Sequence, residues 1–182
     1  MKKLTWIAIV AAVLTVVACG EKKKNDNVIA PRVVKKAPAD PIKMQTYTNV
    51  NDIDWIGRKY HVAINRQPSD SLPMVKDETG QKFVDNVITL SVGRADGSIF
   101  YSKTFSKASF SDYLDADYRQ TGILEGFVFD KADGDWLVFA ASVCHPQTDE
   151  YIPLVVRLSR MGELSIKRDS QDISVEADSI GQ

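Results

Sequence analysis

Cysteine and histidine are nearly absent from this chain, two of each in 182 residues, and their scarcity removes several kinds of chemistry at once. A disulfide scaffold needs more thiols, and a zinc site needs Cys or His at short, characteristic spacings that do not occur here. Phosphate-cradling glycine loops, a Gly-x-Ser-x-Gly elbow and a Ser-x-x-Lys pair are also missing, which weighs against common nucleotide-binding and hydrolase classes. Charge of one sign is not in excess either, with 23 basic and 24 acidic residues. No basic stripe runs along any segment, so nucleic acid is not an expected partner. No internal repeat of fixed period is visible. Nor does any apolar run reach the roughly 20 residues that a membrane-spanning helix requires.

What is present begins at the amino terminus. Lys2 and Lys3 precede an uncharged segment, Leu4 to Ala18, rich in Ala, Val, Ile and Leu. A basic start, a short apolar middle and small residues before a cut site are the parts of an export signal peptide. Val16-Val17-Ala18-Cys19 resembles the lipobox of bacterial lipoproteins. That resemblance implies removal of residues 1–18 and acylation of Cys19 as the first mature residue. Two or more acyl chains hold a protein stably at a bilayer, whereas one gives marginal binding. With Cys19 so used, Cys144 has no partner for an intrachain disulfide.

Residues 19–44 read as a tether. Gly20 to Lys43 contains three prolines, seven basic residues and no aromatic, too little apolar surface to offset the entropy of ordering. As a flexible coil it would reach about 25 to 30 Å. The tether carries +4 and the remainder from Met44 onward −7, a division hidden by the total of −1. Residues 45–172 are the right length for one domain, and 173–182 read as a frayed tail.

Within the domain, apolar and polar residues alternate with period two, the mark of half-buried strands. Tyr60, Val62 and Ile64 share a face, as do Ile88, Leu90 and Val92, and again Ile152, Leu154, Val156 and Leu158. Asp96-Gly97, Asp133-Gly134 and Met161-Gly162 supply turns between neighbouring strands. Local hairpins favour an antiparallel meander, because parallel pairs need long crossovers. The strand WLVFAASV is apolar on both faces, which predicts a central strand covered on each side. One helix is expected over Lys107 to Tyr118, with Phe110, Tyr113 and Leu114 on one face. The predicted fold is mainly β: an antiparallel meander of about seven strands forming an open barrel or sandwich, with one short helix.

Few residues invite a chemical role. Cys144-His145 suggests a thiol nucleophile with a histidine base, and His61 is the other histidine available. Consecutive strand residues face opposite ways, however, and a lone cysteine in an apolar strand is usually a packed side chain. Acidic groups at Asp52/Asp54, Asp115/Asp117 and Asp130/Asp133/Asp135 invite a calcium reading, but the third lacks the alternation of a calcium loop, since Ala132 and Gly134 occupy ligand positions, and a hairpin turn accounts for Asp133-Gly134. No metal or other cofactor is expected. Trp55 and Trp136 each follow an acidic residue and offer a platform for stacking a sugar. Asp70-Ser71-Leu72 and Asp178-Ser179-Ile180 resemble the O-glycosylation sequon of Bacteroidetes envelope proteins, which would modify Ser71 and Ser179.

The lipobox, the Lys/Pro stem and the runs ITLSVGRADGSIFYSKTFSKASFSDYL, GILEGFVFD and LVFAASVCHPQTDEYIPLVVRLSRMGEL together resemble an uncharacterised lipoprotein family of Bacteroidetes. The resemblance implies a β-rich domain in the cell envelope and brings no catalytic residues with it. Surface-exported lipoproteins of that phylum carry an acidic signal after the cysteine; here Glu21 is followed by three lysines, which favours an outer-membrane anchor facing the periplasm. The expected function is a noncatalytic module binding a protein or small-molecule ligand. The alternatives are a hydrolase or thiol enzyme using Cys144 with a histidine, and a carbohydrate-binding accessory protein.

Overall fold

The alternating segments become strands of two stacked sheets in the computed structural model, which describes residues 39–170. The leader, Cys19, most of the tether, Ser179 and the tail 173–182 lie outside the described residues. The strands are β1 (Tyr47–Trp55), β2 (Arg58–Pro68), β3 (Val75–Lys76), β4 (Lys82–Phe83), β5 (Asn86–Arg94), β6 (Ile99–Phe105), β7 (Ile123–Asp133), β8 (Trp136–Cys144), β9 (Tyr151–Ser159) and β10 (Leu164–Arg168). One sheet has the order β1-β2-β5-β6 and the other β10-β9-β8-β7, all antiparallel, with β3-β4 a separate small hairpin. The mainly β, sandwich-like fold expected from the alternation is therefore present, and it does not close into a barrel.

Inward-facing residues fill the space between the sheets. Val62, Ile64, Leu90 and Val92 from the first meet Leu137, Phe139, Leu154 and Val156 from the second, all essentially buried. Removing such a side chain from water contributes about 1.5–3 kcal/mol. An aromatic chain runs through the middle, Phe110 to Phe105 to Phe127 to Phe139, with successive ring centroids 5.8, 5.1 and 5.5 Å apart. On edge strand β6, Lys103 shares the inward face with Phe105 and lays its ammonium over that ring, a charge that discourages further strand pairing.

The two ends of the sandwich differ in kind. Tight turns collect at one end: Trp55 Nε1 donates to Gly134 O at 3.0 Å, and Arg160 N to Asp135 O at 2.9 Å, which ties the first sheet's turn end to those of β7–β8 and β9–β10. The long connections 69–85, 106–122 and 145–150 collect at the other. There Ile42 forms a parallel bridge with Phe83, so Asp40–Met44, assigned to the tether by composition, pairs with the β3–β4 hairpin.

Three details depart from expectation. The helix over Lys107–Tyr118 is instead a 3₁₀ helix, Lys107–Tyr113, followed by a break at Leu114 and a short α-helix, α1 (Ala116–Thr121). Phe110 and Leu114 are buried as the spacing implied, but Asp115 caps a new helix by accepting from Tyr118 N at 3.1 Å. β1 carries Asn49, Asn51, Asp52 and Asp54, residues depleted in strands; at this edge position Asp52 and Asp54 face water, while Asn49 and Asn51 are half-buried on the face they share with Ile53 and Trp55 and hydrogen-bond each other. β8 is an inner strand of its sheet, yet its outer face is not covered along its length: Ala140 is exposed and Trp136 half-buried.

Candidate functional site

At the loop end, α1 lies on the surface with a cleft on either side. Spacing within the helix divides its side chains: Asp117 and Thr121, four residues apart, line one cleft, while Arg119 and Gln120 line the other. The β2–β5 connection walls both, through Asp77–Thr79 in the first and Leu72–Val75 in the second.

The first cleft, about 470 Å³, is rimmed by Asp77, Glu78, Asp117 and Glu150 around His145. His145 stacks on Tyr118 with ring centroids 4.0 Å apart and an interplanar angle of 15°. Its Nδ1 is 3.0 Å from Glu150 Oε2. Its Nε2 lies 3.1 Å from Asp117 Oδ2 without hydrogen-bond alignment and has no hydrogen-bond partner among the described residues. Asp77 folds its own turn by accepting from the Thr79 hydroxyl and from the Gln81 and Thr79 amides, which holds its carboxyl below the ordinary value. Burial raises the Tyr118 phenol, and the surrounding carboxylates add to the rise. Among the described residues, no group of three or more His, Cys, Asp and Glu is placed to hold a metal ion.

The second cleft, about 500 Å³, has an apolar wall of Leu72, Pro73, Met74 and Val75 and a floor made by Asp85 and Lys107. Asp85 is 3% exposed; its Oδ1 accepts from Asn86 N at 2.8 Å and from Leu124 N at 2.9 Å, joining the start of β5 to β7. Lys107 Nζ donates to Gly122 O at 2.6 Å and is 3.9 Å from Asp85 Oδ2, an ion pair too long for a hydrogen bond. An ammonium has three donors, so two remain unspent on any acceptor among the described residues. Burial pushes the Asp85 carboxyl up, against the pull of the two amides and of Lys107. The same burial pulls Lys107 down, partly offset by Asp85. Gly122 permits the close fit: a Cβ there would come within 2.7 Å of Tyr118 O and 2.8 Å of Val143 Cγ1.

The residues singled out by sequence are dispersed. Cys144 Sγ bonds Ser142 Oγ at 3.5 Å on the outer face of β8, while His145 turns to α1, so the adjacent thiol and imidazole engage different partners. Burial pushes the thiol up to about 11. His61 pairs with Asp52 across β1 and β2. Trp55 is 2% exposed and packs edge-on to Tyr60 and Phe100 in the core. Trp136 is half-buried at the turn end with the Arg157 guanidinium 4.8 Å above its ring. Ser71 is exposed in a turn, its hydroxyl 2.8 Å from that of Ser69. Sequence reasoning passed over Asp85, Lys107, Arg119 and Met74. Only Asp85 carried a signal, a carboxylate inside the apolar run FVDNVITL.

Residues 27–166 match the family described as Domain of unknown function (DUF4738), a span that takes in every residue lining the two clefts. The chain belongs to this family. No curated protein matches it. In this DUF4738 domain the two clefts, divided by α1, are accordingly defined by chemistry alone.

Proposed function

We propose that this chain is a lipid-anchored envelope protein whose β-sandwich binds a small-molecule ligand without catalysing a reaction. One observation carries the binding reading: the cleft over Lys107 combines an apolar wall with a buried ammonium holding unspent donors, the composition of a small-ligand site. The noncatalytic reading draws support from Cys144, whose thiol is kept protonated at neutral pH by burial and whose hydrogen bond goes to Ser142, not to His145.

Anchoring rests on the sequence. The lipobox ending at Cys19 supplies the acylation site, and the lysines after Glu21 favour an outer-membrane position facing the periplasm. A Bacteroidetes origin agrees with the resemblance above, and Ser71, exposed beside Asp70, would be reachable by a glycosylating enzyme.

Intact-mass and native mass spectrometry of protein extracted from its own membranes test both halves. The expected result is a chain beginning at an acylated Cys19 and releasing a bound small molecule on denaturation. A chain retaining residues 1–18 would end the anchoring proposal, and turnover abolished by Cys144→Ser would end the noncatalytic one.

A further inference from the structure

We propose that the cleft over Lys107 takes a small organic anion with an apolar body, a carboxylate or phosphate monoester borne on roughly six to ten carbons. This rests on the binding reading above and names its ligand class.

The argument starts from the floor. The Lys107 side chain is 15% exposed, yet only Gly122 O takes a hydrogen bond from it. Asp85 does not complete the set, because its Oδ1 is already engaged by two amides and its Oδ2 is 3.9 Å from the ammonium. A buried donor left without an acceptor is costly, so the site favours a group with concentrated negative charge and several lone pairs. Arg119 adds a second cation at the same cleft. Its Nη1 is anchored to Leu114 O at 2.9 Å and to Ser111 O at 3.2 Å, while Nη2 and Nε engage no acceptor among the described residues. The guanidinium is thereby held in place with part of its fork open.

The opposite wall sets the other half of the ligand. Leu72, Pro73, Met74 and Val75 are consecutive and present apolar surface where the cleft opens, with Met74 47% exposed. A wholly polar anion would leave that wall wet; an apolar body covers it, and the flexible thioether adapts to its shape. The first cleft is unsuited to the same ligand, since four carboxylates rim it and its histidine is paired with two of them. A third, smaller depression between Arg58, Lys59 and Arg94 is basic, but Asp54 neutralises Lys59, Asp96 adds a carboxylate, and no run of apolar side chains walls it.

Calorimetric titration of the full chain in nanodiscs, with empty nanodiscs as blank, decides the matter. The probes are hexanoate, hexyl phosphate, 1-hexanol and hexylamine. One or both anions should bind saturably, with 1-hexanol weaker by about tenfold or more and hexylamine not binding, the worth of an ionic hydrogen bond. Whichever anion is tighter distinguishes a free acid from a phosphate ester. Arg119→Gln should weaken the anions about tenfold. Lys107→Met should do more but strands Asp85, so Met74→Glu provides the variant at an exposed position: its carboxylate should repel the anions and leave folding intact. If 1-hexanol or hexylamine binds as well as the anions and Met74→Glu changes that binding, the ligand class is wrong and the cleft remains a site. Binding of the anions unaffected by both Arg119→Gln and Met74→Glu overturns the proposal, as does binding of none of the four. In that last case the broader reading survives only if native protein carries a different molecule.

Discussion

The two clefts beside α1 share a helix, a bounding loop and nearly the same volume, but they place their charges in opposite surroundings. In the first, the carboxylates of Asp117 and Glu150 are 66% and 72% exposed, so water sets the energy of their contacts with His145. In the second, Asp85 and Lys107 are 5% and 15% exposed at the side chain, so the protein itself must satisfy them. Ion pairs of the first kind contribute about 0–1 kcal/mol and are screened by salt. Breaking one of the second kind costs about 3–5 kcal/mol, because the partner is left charged and dry. The difference in burial thus yields a wet rim that is easily rearranged and a dry floor that is not. Of the two, the floor is where unspent donors are shielded from water, so an acceptor placed there would gain more than one at the rim.

Substitutions that treat the clefts unequally probe this contrast. Asp85→Ala removes the acceptor of two buried amides and the counter-charge of Lys107; a loss of about 3–5 kcal/mol is expected in chemical denaturation. Next, Gly122→Ala forces a Cβ against Tyr118 O and Val143, at an expected 1–3 kcal/mol, roughly, and shifts the helix that divides the clefts. His145→Ala should cost only about 1 kcal/mol, chiefly the stack on Tyr118, with any ionic part disappearing in high salt. Comparable losses for Asp85→Ala and His145→Ala would erase the distinction.

Two smaller effects sharpen it. The Asp85 carboxyl is raised in the folded state, so its protonation favours folding: that contribution is complete below the ordinary value of 3.8 and is lost as pH rises through the raised one. The stability difference between wild type and Asp85→Asn should therefore vary with pH above 3.8, and a difference independent of pH there would contradict this. At Cys144, a thiol near 11 is ionised in about one molecule in ten thousand at pH 7. Alkylation by iodoacetamide should be far slower than for a free cysteine, and rapid labelling would refute the account of that side chain.

The strands were legible because their chemistry is local. Val62, Ile64, Leu90, Val92, Leu154 and Val156 announce a buried face by alternation, and the Gly-containing turns fix their order in the meander. β1 escaped notice because its Asn and Asp residues contradict strand propensity, and only its pairing with β2 overrides that. The break at Leu114 was missed since Phe110 and Leu114 keep helical spacing across it, while the deciding cap at Asp115 looks like any other surface acid. The second cleft was invisible for a deeper reason. Asp85 and Lys107 are 22 residues apart and meet through Leu124 and Gly122, so no window of sequence contains the site.

The parallel bridge at Ile42 has a mechanical corollary. Its two bonds, Ile42 N to Lys82 O and Val84 N to Ile42 O, are both 2.9 Å and lie side by side on β4, so a tug along the incoming chain loads them together in shear. The hairpin they clasp bounds the clefts, and traction on the chain before Ile42 would therefore be felt at the apolar wall of the second cleft before it reached either sheet.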